Sequence, residues 1–291
     1  MSIELCVLAS GSSGNASLVR VDGRAMLIDA GLGPRSIVKR LDGTGVSAAD
    51  LNAILLTHLD RDHFAPTWAP VIAERRLPVY CAQRHVAQLY RAIRTHGRVE
   101  PTQLRRQGLI RTFTGQPFPI DFGDHPPVVQ PFHLAHDRSG TVGYVIRNTR
   151  HRLAYATDLG AVPEALLEAM ADVDLLAIES NYDVAMEANS PRPLHLKQRV
   201  MSGHGHLSND QALEAVQAVF ARSARPPRHV VLLHLSRQCN CPKLLRRTYA
   251  PHADIAARLC LTSQHARTPW LHVDPAPRQA LPGEQMGLAY A

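Results

Sequence analysis

The chain has 291 residues, 45% of them hydrophobic and 20% charged, and a formal net charge of +7. That length and apolar content support one large core or two small ones and exclude a wholly disordered chain, and no apolar run approaches the roughly 18 residues of a membrane span. The positive balance suits a polyanionic partner such as nucleic acid, although the charge is nearly all arginine, with lysine only at Lys39, Lys197 and Lys243, and no aromatic-interleaved basic stripe accompanies it.

The opening MSIELCVLASG has no basic segment and carries Glu4, so it reads as a first strand and not as a signal peptide. Cys6, Cys81, Cys239, Cys241 and Cys260 make an odd count without framework spacing, which predicts reduced thiols and a cytoplasmic protein. Strands IELCVLAS (3–10), ASLVRV (16–21) and AMLIDA (25–30) are joined by the turns GSSGN and DGR. A helix is expected near PRSIVKRLDG, with Pro34 at its start and Gly43 past its end. The strand LNAILLTH follows, then AQRHVAQLYRAIRTHG, which has helical period and a stop at Gly97. PPVVQPFHLAHD, TVGYVIRN and HRLAYATD read as a meander, PEALLEAMADV as a helix and DLLAIES as a buried strand. SNDQALEAVQAVFARSA is an amphipathic helix capped by Ser208 or Asn209, RHVVLLHLS a strand and PKLLRRTYA a helix. Residues 1–262 thus read as one domain and 263–291 as an extended or partly disordered tail, with WLHV as one edge strand. A strand-rich start followed by strand–helix alternation argues for a layered α/β fold.

The stretch LLTHLDRDHF (55–64) packs His58, Asp60, Asp62 and His63 into six residues just past an apolar strand. Imidazole and carboxylate groups in that density suit Zn, Fe or Mn. His136 ends QPFHLAH, Asp158 ends RLAYATD and His234 ends VVLLH, so three further donors also fall past strand ends, where open α/β folds place their sites. QCNC, with Cys239 and Cys241, reads as bystander thiols, His252 being the one evident further donor for a soft metal there.

These residues carry a resemblance. LIDAG, LLTHLDRDH, HD…GYVI, ATDLG and LLHLS look like the five motifs of the metallo-β-lactamase superfamily, over most of residues 3–240. LASGSSGNASLV, HDRSGTVGYVI, TDLGAV, ESNYD, GHLSN and HLSRQCNCP are similar to the WalJ/YycJ-like hydrolases, regarded as DNA exonucleases. The resemblance implies an αββα four-layer sandwich with two metals at its rim. By position, His58, Asp60 and His136 would hold the first metal and Asp62, His63 and His234 the second, with Asp158 bridging and Asp29 orienting the cluster from behind. Asp60 departs from the histidine usual in the superfamily and resembles the variant in the nuclease-like domain of the DNA-uptake channel of transformable bacteria. A harder, anionic donor favours Mn²⁺ or Fe²⁺ over Zn²⁺.

Two metals activate a water for attack on a phosphodiester, an ester or an amide, so other residues must choose among these. His206 precedes a helix start, where backbone amides favour phosphate, and Glu179 ends the strand DLLAIE, where a carboxylate would keep His206 protonated. The order Glu, then His before a helix, then HLS resembles ribonuclease Z and implies a Glu–His proton donor. Ser12, Ser13 and Asn15 in SGSSGN would cradle a phosphate, and Ser208 and Asn209 would contact substrate or cap their helix. Neither a β-CASP-like insertion nor a ribonuclease Z-like arm is present. The expectation is a DNA exonuclease acting from a 5′ end, with DNA favoured over RNA. A small-molecule cyclic phosphodiesterase or broad esterase is the alternative, and a non-catalytic scaffold is the alternative of another class.

Overall fold

The structure, a computed structural model, describes residues 1–273. Its strands are β1 (Ile3–Ala9), β2 (Ala16–Val21), β3 (Arg24–Ile28), β4 (Leu51–Leu55), β5 (Val79–Ala82), β6 (Ile110–Phe113), β7 (Phe118–Pro119), β8 (Val128–Leu134), β9 (Thr141–Arg147), β10 (Arg152–Ala156), β11 (Leu175–Glu179), β12 (His229–Leu233), β13 (Leu259–Leu261) and β14 (Leu271–His272). The helices are α1 (Pro34–Leu41), α2 (Trp68–Arg75), α3 (Val86–Thr95), α4 (Pro101–Arg106), α5 (Glu164–Met170), α6 (Val184–Ala188), α7 (Leu194–Val200), α8 (Asn209–Arg222), α9 (Pro242–Tyr249) and α10 (Ala253–Ala256).

The strands form two seven-stranded sheets, ordered β14-β1-β2-β3-β4-β5-β6 and β13-β12-β11-β10-β9-β8-β7. Each is half meander and half crossover: β1 to β3 and β7 to β10 pair antiparallel, whereas β3 to β6 and β10 to β13 pair parallel. Asp22 and Gly23, at φ 49° and 84°, make the tight turn between β2 and β3, the backbone that a two-residue hairpin with right-handed twist demands.

Period-two alternation assigns the layers. Ile3, Leu5 and Val7 of β1 join Val129, Tyr144, Ile146 and Leu153 of the opposite sheet in one central core. Cys6 and Leu8 point the other way, onto Ile37, Leu41, Trp68, Ile72, Leu89 and Ile93 of α1 to α3. On β10, Leu153 and Tyr155 face the central core, while Ala154 and Ala156 pack with Leu166, Met170, Val216, Val219, Leu245 and Tyr249 of α5, α8 and α9. Two sheets packed face to face, each covered on its outer face by helices, make the expected αββα sandwich.

Some elements differ from the sequence reading. The helix expected from Ala82 begins at Val86, because Ala82 closes β5 and Gln83–His85 form a 3₁₀ turn between the two. Helices α2, α4, α6, α7 and α10 and strands β6, β7 and β13 are short pieces that were not anticipated. Residues 263–273 of the expected tail are tied to the fold. Thr268 exchanges hydrogen bonds with Val7, Trp270 Nε1 donates to the Thr44 carbonyl at 2.9 Å, and β14 pairs with Glu4 and Leu5 of β1. Residues 274–291 lie outside the described residues. All five cysteines are free thiols, and among the described residues no helix is long and apolar enough to cross a membrane.

Candidate metal centre

Seven chemistry-bearing residues leave the carboxyl ends of neighbouring strands: Asp29 after β3, His58 after β4, His136 after β8, Asp158 after β10, Glu179 closing β11, His234 after β12, and His63 on the turn beyond His58. Apolar strands hold their bases in the core, so their polar heads converge at one rim. Asp29, Asp158 and His234 have left-handed backbones, φ 62°, 53° and 53°. That conformation is uncommon outside glycine and persists where the surroundings over-determine it, as at functional sites.

Asp29 is fully buried and accepts from Thr57 N at 2.9 Å, from Thr57 Oγ1 at 2.8 Å and from His63 Nδ1 at 2.8 Å. It thereby fixes the His63 ring and leaves Nε2 facing the cluster, 3.0 Å from Asp158 Oδ2 and 3.6 Å from Asp62 Oδ2. Burial opposes charge on His63, but the Asp158 and Asp29 carboxylates overcome it and raise its pKa well above the ordinary imidazole value. His58 is the reverse case. Burial, and then the charge of His63, hold its pKa well below the ordinary value, so it is a neutral ring. Its Nδ1 lies 3.1 Å from Thr57 Oγ1 and 3.4 Å from Thr141 Oγ1. His136 Nδ1 donates to the Gly205 carbonyl at 2.9 Å, which turns Nε2 inward.

Asp158 stands between the two halves. Its Oδ1 is 2.7 Å from His234 Nδ1 and its Oδ2 accepts from Thr157 Oγ1 at 2.9 Å. Burial raises its pKa, but His234 and His63 together bring it well below the usual carboxylate range. His234 is buried too, which favours the neutral ring, yet Asp158 and Glu179 push its pKa up to about 10. Glu179 Oε1 takes His206 Nδ1 at 2.8 Å and lies 3.2 Å from His234 Nδ1, while Oε2 accepts from the backbone of Leu159 and Leu207. Burial works against charge on both members of this pair. The attraction between them wins, lowering Glu179 and raising His206.

Divalent ions fit this donor set. His58 Nε2 and His234 Nε2 are buried without any hydrogen-bond partner, a state that costs about 1–3 kcal/mol per group unless an ion or a ligand engages the nitrogen. His58, Asp60 and His136 offer donor atoms within 4.8 Å of one another, as do His58, His63 and Asp158. Asp62 Oδ2 lies 3.6 Å from His63 Nε2 and 3.8 Å from His234 Nε2, spanning the other side. Imidazole nitrogens with carboxylate oxygens suit zinc, manganese or iron. Glu179 and His206 join Asp158 and His234 in a further group within 4.8 Å, so the pair expected to act together sits at the same cluster.

Other expectations meet a different structure. Asn15, expected at the substrate, accepts from Gly11 N through Oδ1 and turns Nδ2 to Asp62 Oδ2 at 3.2 Å, so it steadies Asp62. The amides of Gly11, Ser13, Gly14 and Asn15 already have acceptors within the protein, so they form no open phosphate cradle. Ser12 and Ser13 keep only exposed side chains there. Ser208 Oγ accepts from Gln211 N in a capping box, and Asn209 is locked to Asn240 and Ser180. Both are buried with these partners, and the amides of Leu207, Ser208, Asn209 and Gln211 at that helix start are likewise taken. Cys241 Sγ caps α9, and His252 faces Gln217.

Several supports had no distinct signal in the sequence. Ser10 Oγ accepts from His234 N at 2.7 Å, and Asn181 Nδ2 donates to the His234 carbonyl at 2.7 Å, holding that left-handed residue from both sides. Gly31 packs against the loop that carries Asp62: a Cβ there would lie 1.7 Å from the Asp62 carbonyl oxygen and 2.8 Å from Asn15 N. Gly31→Ala should therefore displace Asp62, lowering bound metal and costing about 1–3 kcal/mol of stability. Metal content by mass spectrometry and a melting curve test this. Native values for both would refute it.

Comparison with known proteins agrees with this architecture. Residues 24–235 match the sequence model of the beta-lactamase superfamily domain. Exodeoxyribonuclease YycJ of Bacillus anthracis is 29% identical over 249 residues, 84% of this chain and 87% of that protein. Exodeoxyribonuclease WalJ of Streptococcus pneumoniae is 28% identical over 242 residues, 83% of this chain and 85% of that protein. The crystal structure of the metallo-beta-lactamase fold protein YhfI from Bacillus subtilis superposes with a TM-score of 0.64 at 14% identity, covering 91% of this chain and 99% of that one.

Proposed function

We propose that this chain, which belongs to the beta-lactamase superfamily, is a two-metal phosphodiester hydrolase that removes nucleotides from a 5′ end of DNA. The observation that carries this reading is the pairing of two bare, buried imidazole nitrogens with carboxylates at the strand ends, directly beside a Glu–His pair. The names of the relatives that cover most of the chain favour DNA as the strand. His58, Asp60 and His136 would hold one ion, Asp62, His63 and His234 the other, and Asp158 would touch both. Bound there, the ions supply Lewis-acid charge and a nucleophilic water at neutral pH.

The chain's own groups do the rest. Asp29 keeps a proton on His63 Nδ1 and so aims Nε2 at the cluster. The Gly205 carbonyl does the same for His136. Glu179 holds the proton on His206 Nδ1, leaving His206 Nε2 to donate to the leaving oxygen. The domain is taken as residues 1–273, because β14 and Thr268 join the segment past 262 to β1.

The test is metal-reconstituted protein incubated with end-labelled single- and double-stranded DNA and RNA, beside a nitrophenyl phosphodiester. Mononucleotides should leave the 5′ end of DNA faster than of RNA. Cleavage of the nitrophenyl diester alone would favour a small-molecule phosphodiesterase, and no cleavage at all would leave the scaffold reading.

Manganese should support more activity than zinc, because Asp60 adds an anionic oxygen donor. Its side chain is 55% exposed, so it is free to adapt to a six-coordinate ion. Asp60→His should shift the preference toward zinc. An apo protein that recovers fully with zinc and not with manganese contradicts this.

A further inference from the structure

Each of three loops that carry candidate ligands also carries an exposed arginine. Arg61 stands between Asp60 and Asp62, Arg138 two residues beyond His136, and Arg237 three beyond His234. Among the described residues none of the three has a carboxylate within ion-pair distance, whereas Arg20, Arg94, Arg111, Arg192, Arg199 and Arg222 each have one. Of the acids on these loops, Asp60 is exposed and reserved as a candidate metal ligand, and the others are already engaged. Asp137 takes two hydrogen bonds from Arg199, at 3.0 and 2.8 Å. Asp183 caps α6 through Met186 N, and Asp62 is held by Asn15 and faces the imidazoles. Apart from Asp60, the charge without an ion-pair partner on these three ligand-bearing loops is therefore cationic.

We propose that Arg61, Arg138 and Arg237 take the phosphates that flank the scissile one, so that the site selects a polynucleotide strand over an isolated diester. The proposal rests on the phosphodiesterase reading above and names its substrate selector. The guanidinium fork matches a phosphate in two parallel hydrogen bonds, and it keeps its charge at any working pH. Contacts of this kind position a strand without reading its sequence, so the selectivity should be for length and charge. It also supplies what the SGSSGN turn and the α8 start lack, since their amides are used inside the protein.

The experiment compares the manganese-loaded protein with Arg61→Gln, Arg138→Gln, Arg237→Gln and the triple variant. The readouts are kcat/KM on a 5′-labelled oligodeoxynucleotide and on a nitrophenyl phosphodiester, across a salt series. Metal content and melting temperature are measured alongside and should match the parent, since the side chains are exposed. The oligonucleotide loss in the triple variant should exceed the nitrophenyl loss by at least tenfold. Each arginine removed should flatten the plot of log kcat/KM against log salt by about 0.7, so that the parent's advantage over the triple variant shrinks roughly 20-fold between 50 and 200 mM salt. No loss or an unchanged salt slope would mean solvated arginines only, and equal losses on both substrates would mean a disturbed metal site; each overturns the proposal while leaving the hydrolase reading intact. A parent protein that cleaves the nitrophenyl diester and not the strand overturns both the nuclease reading and this selector.

Discussion

Asp158→Ala is expected to leave no measurable hydrolysis and fewer than two metal ions per chain. The carboxylate is 2% exposed and touches His63 at 3.0 Å and His234 at 2.7 Å, which makes it the joint between the two halves of the cluster. Without it, Asp29 alone opposes burial at His63 and Glu179 alone at His234, and the cluster loses the one buried carboxylate that touches both rings. Alanine also takes poorly to the left-handed backbone at φ 53°, a strain of about 1–2 kcal/mol, so lost activity alone would be ambiguous. Asp158→Asn separates the causes. Asparagine tolerates that backbone and keeps the shape, but it cannot carry the charge. Both variants should lose activity and metal, and Asp158→Asn should keep a cooperative melt near the parent temperature. Asp62→Ala should behave similarly with a smaller structural effect, because that side chain is 23% exposed and anchored mainly by Asn15. Near-native turnover with full metal content in any of these variants would remove the ligand assignment.

The cluster was legible where its chemistry is dense and local. Four donors in HLDRDH cannot be explained by packing, and each remaining donor follows an apolar strand whose end is visible in the pattern. The fold's layers followed from the same runs, since strands such as LLAIE are apolar on both faces. What stayed hidden depends on partners far along the chain. The sequence shows which amides GSSGN and the α8 start possess, but not that Gln264, Asp62, Glu179 and the capping box have already taken them. Asn15 looked like a substrate contact for the same reason, its true partner being 47 positions away. The clamp of Ser10 and Asn181 on His234 joins residues from opposite ends of the protein, 224 and 53 positions apart from it. The left-handed backbones of Asp29, Asp158 and His234 likewise carry no compositional mark, because the surrounding fold imposes them.

His206→Ala should lose roughly 10²–10⁴-fold in the rate of DNA cleavage while both metals stay bound, the usual scale for general acid catalysis. The residue lies on the loop before α8, outside the proposed ligand set, and its ring is oriented by Glu179 at 2.8 Å. That hydrogen bond sets the tautomer. With Nδ1–H given to the carboxylate, the proton available to substrate is on Nε2. Glu179→Gln should act through the same proton. Its side-chain oxygen is retained by Leu159 N and Leu207 N, so its amide would face His206 Nδ1 and demand a bare nitrogen there, leaving Nε2–H on a neutral ring and a weaker acid. The same amide would meet His234 Nδ1 at 3.2 Å, so the metal content of Glu179→Gln must be measured before its rate is interpreted. The double variant should be little slower than His206→Ala, since groups that act as a unit are not additive. The leaving group supplies the decisive readout. A nitrophenyl phosphodiester departs with little need of protonation, so its hydrolysis should fall by less than tenfold in His206→Ala while DNA cleavage collapses. If both substrates lose equally, His206 binds phosphate or holds structure, and the proton-donor role must be given up.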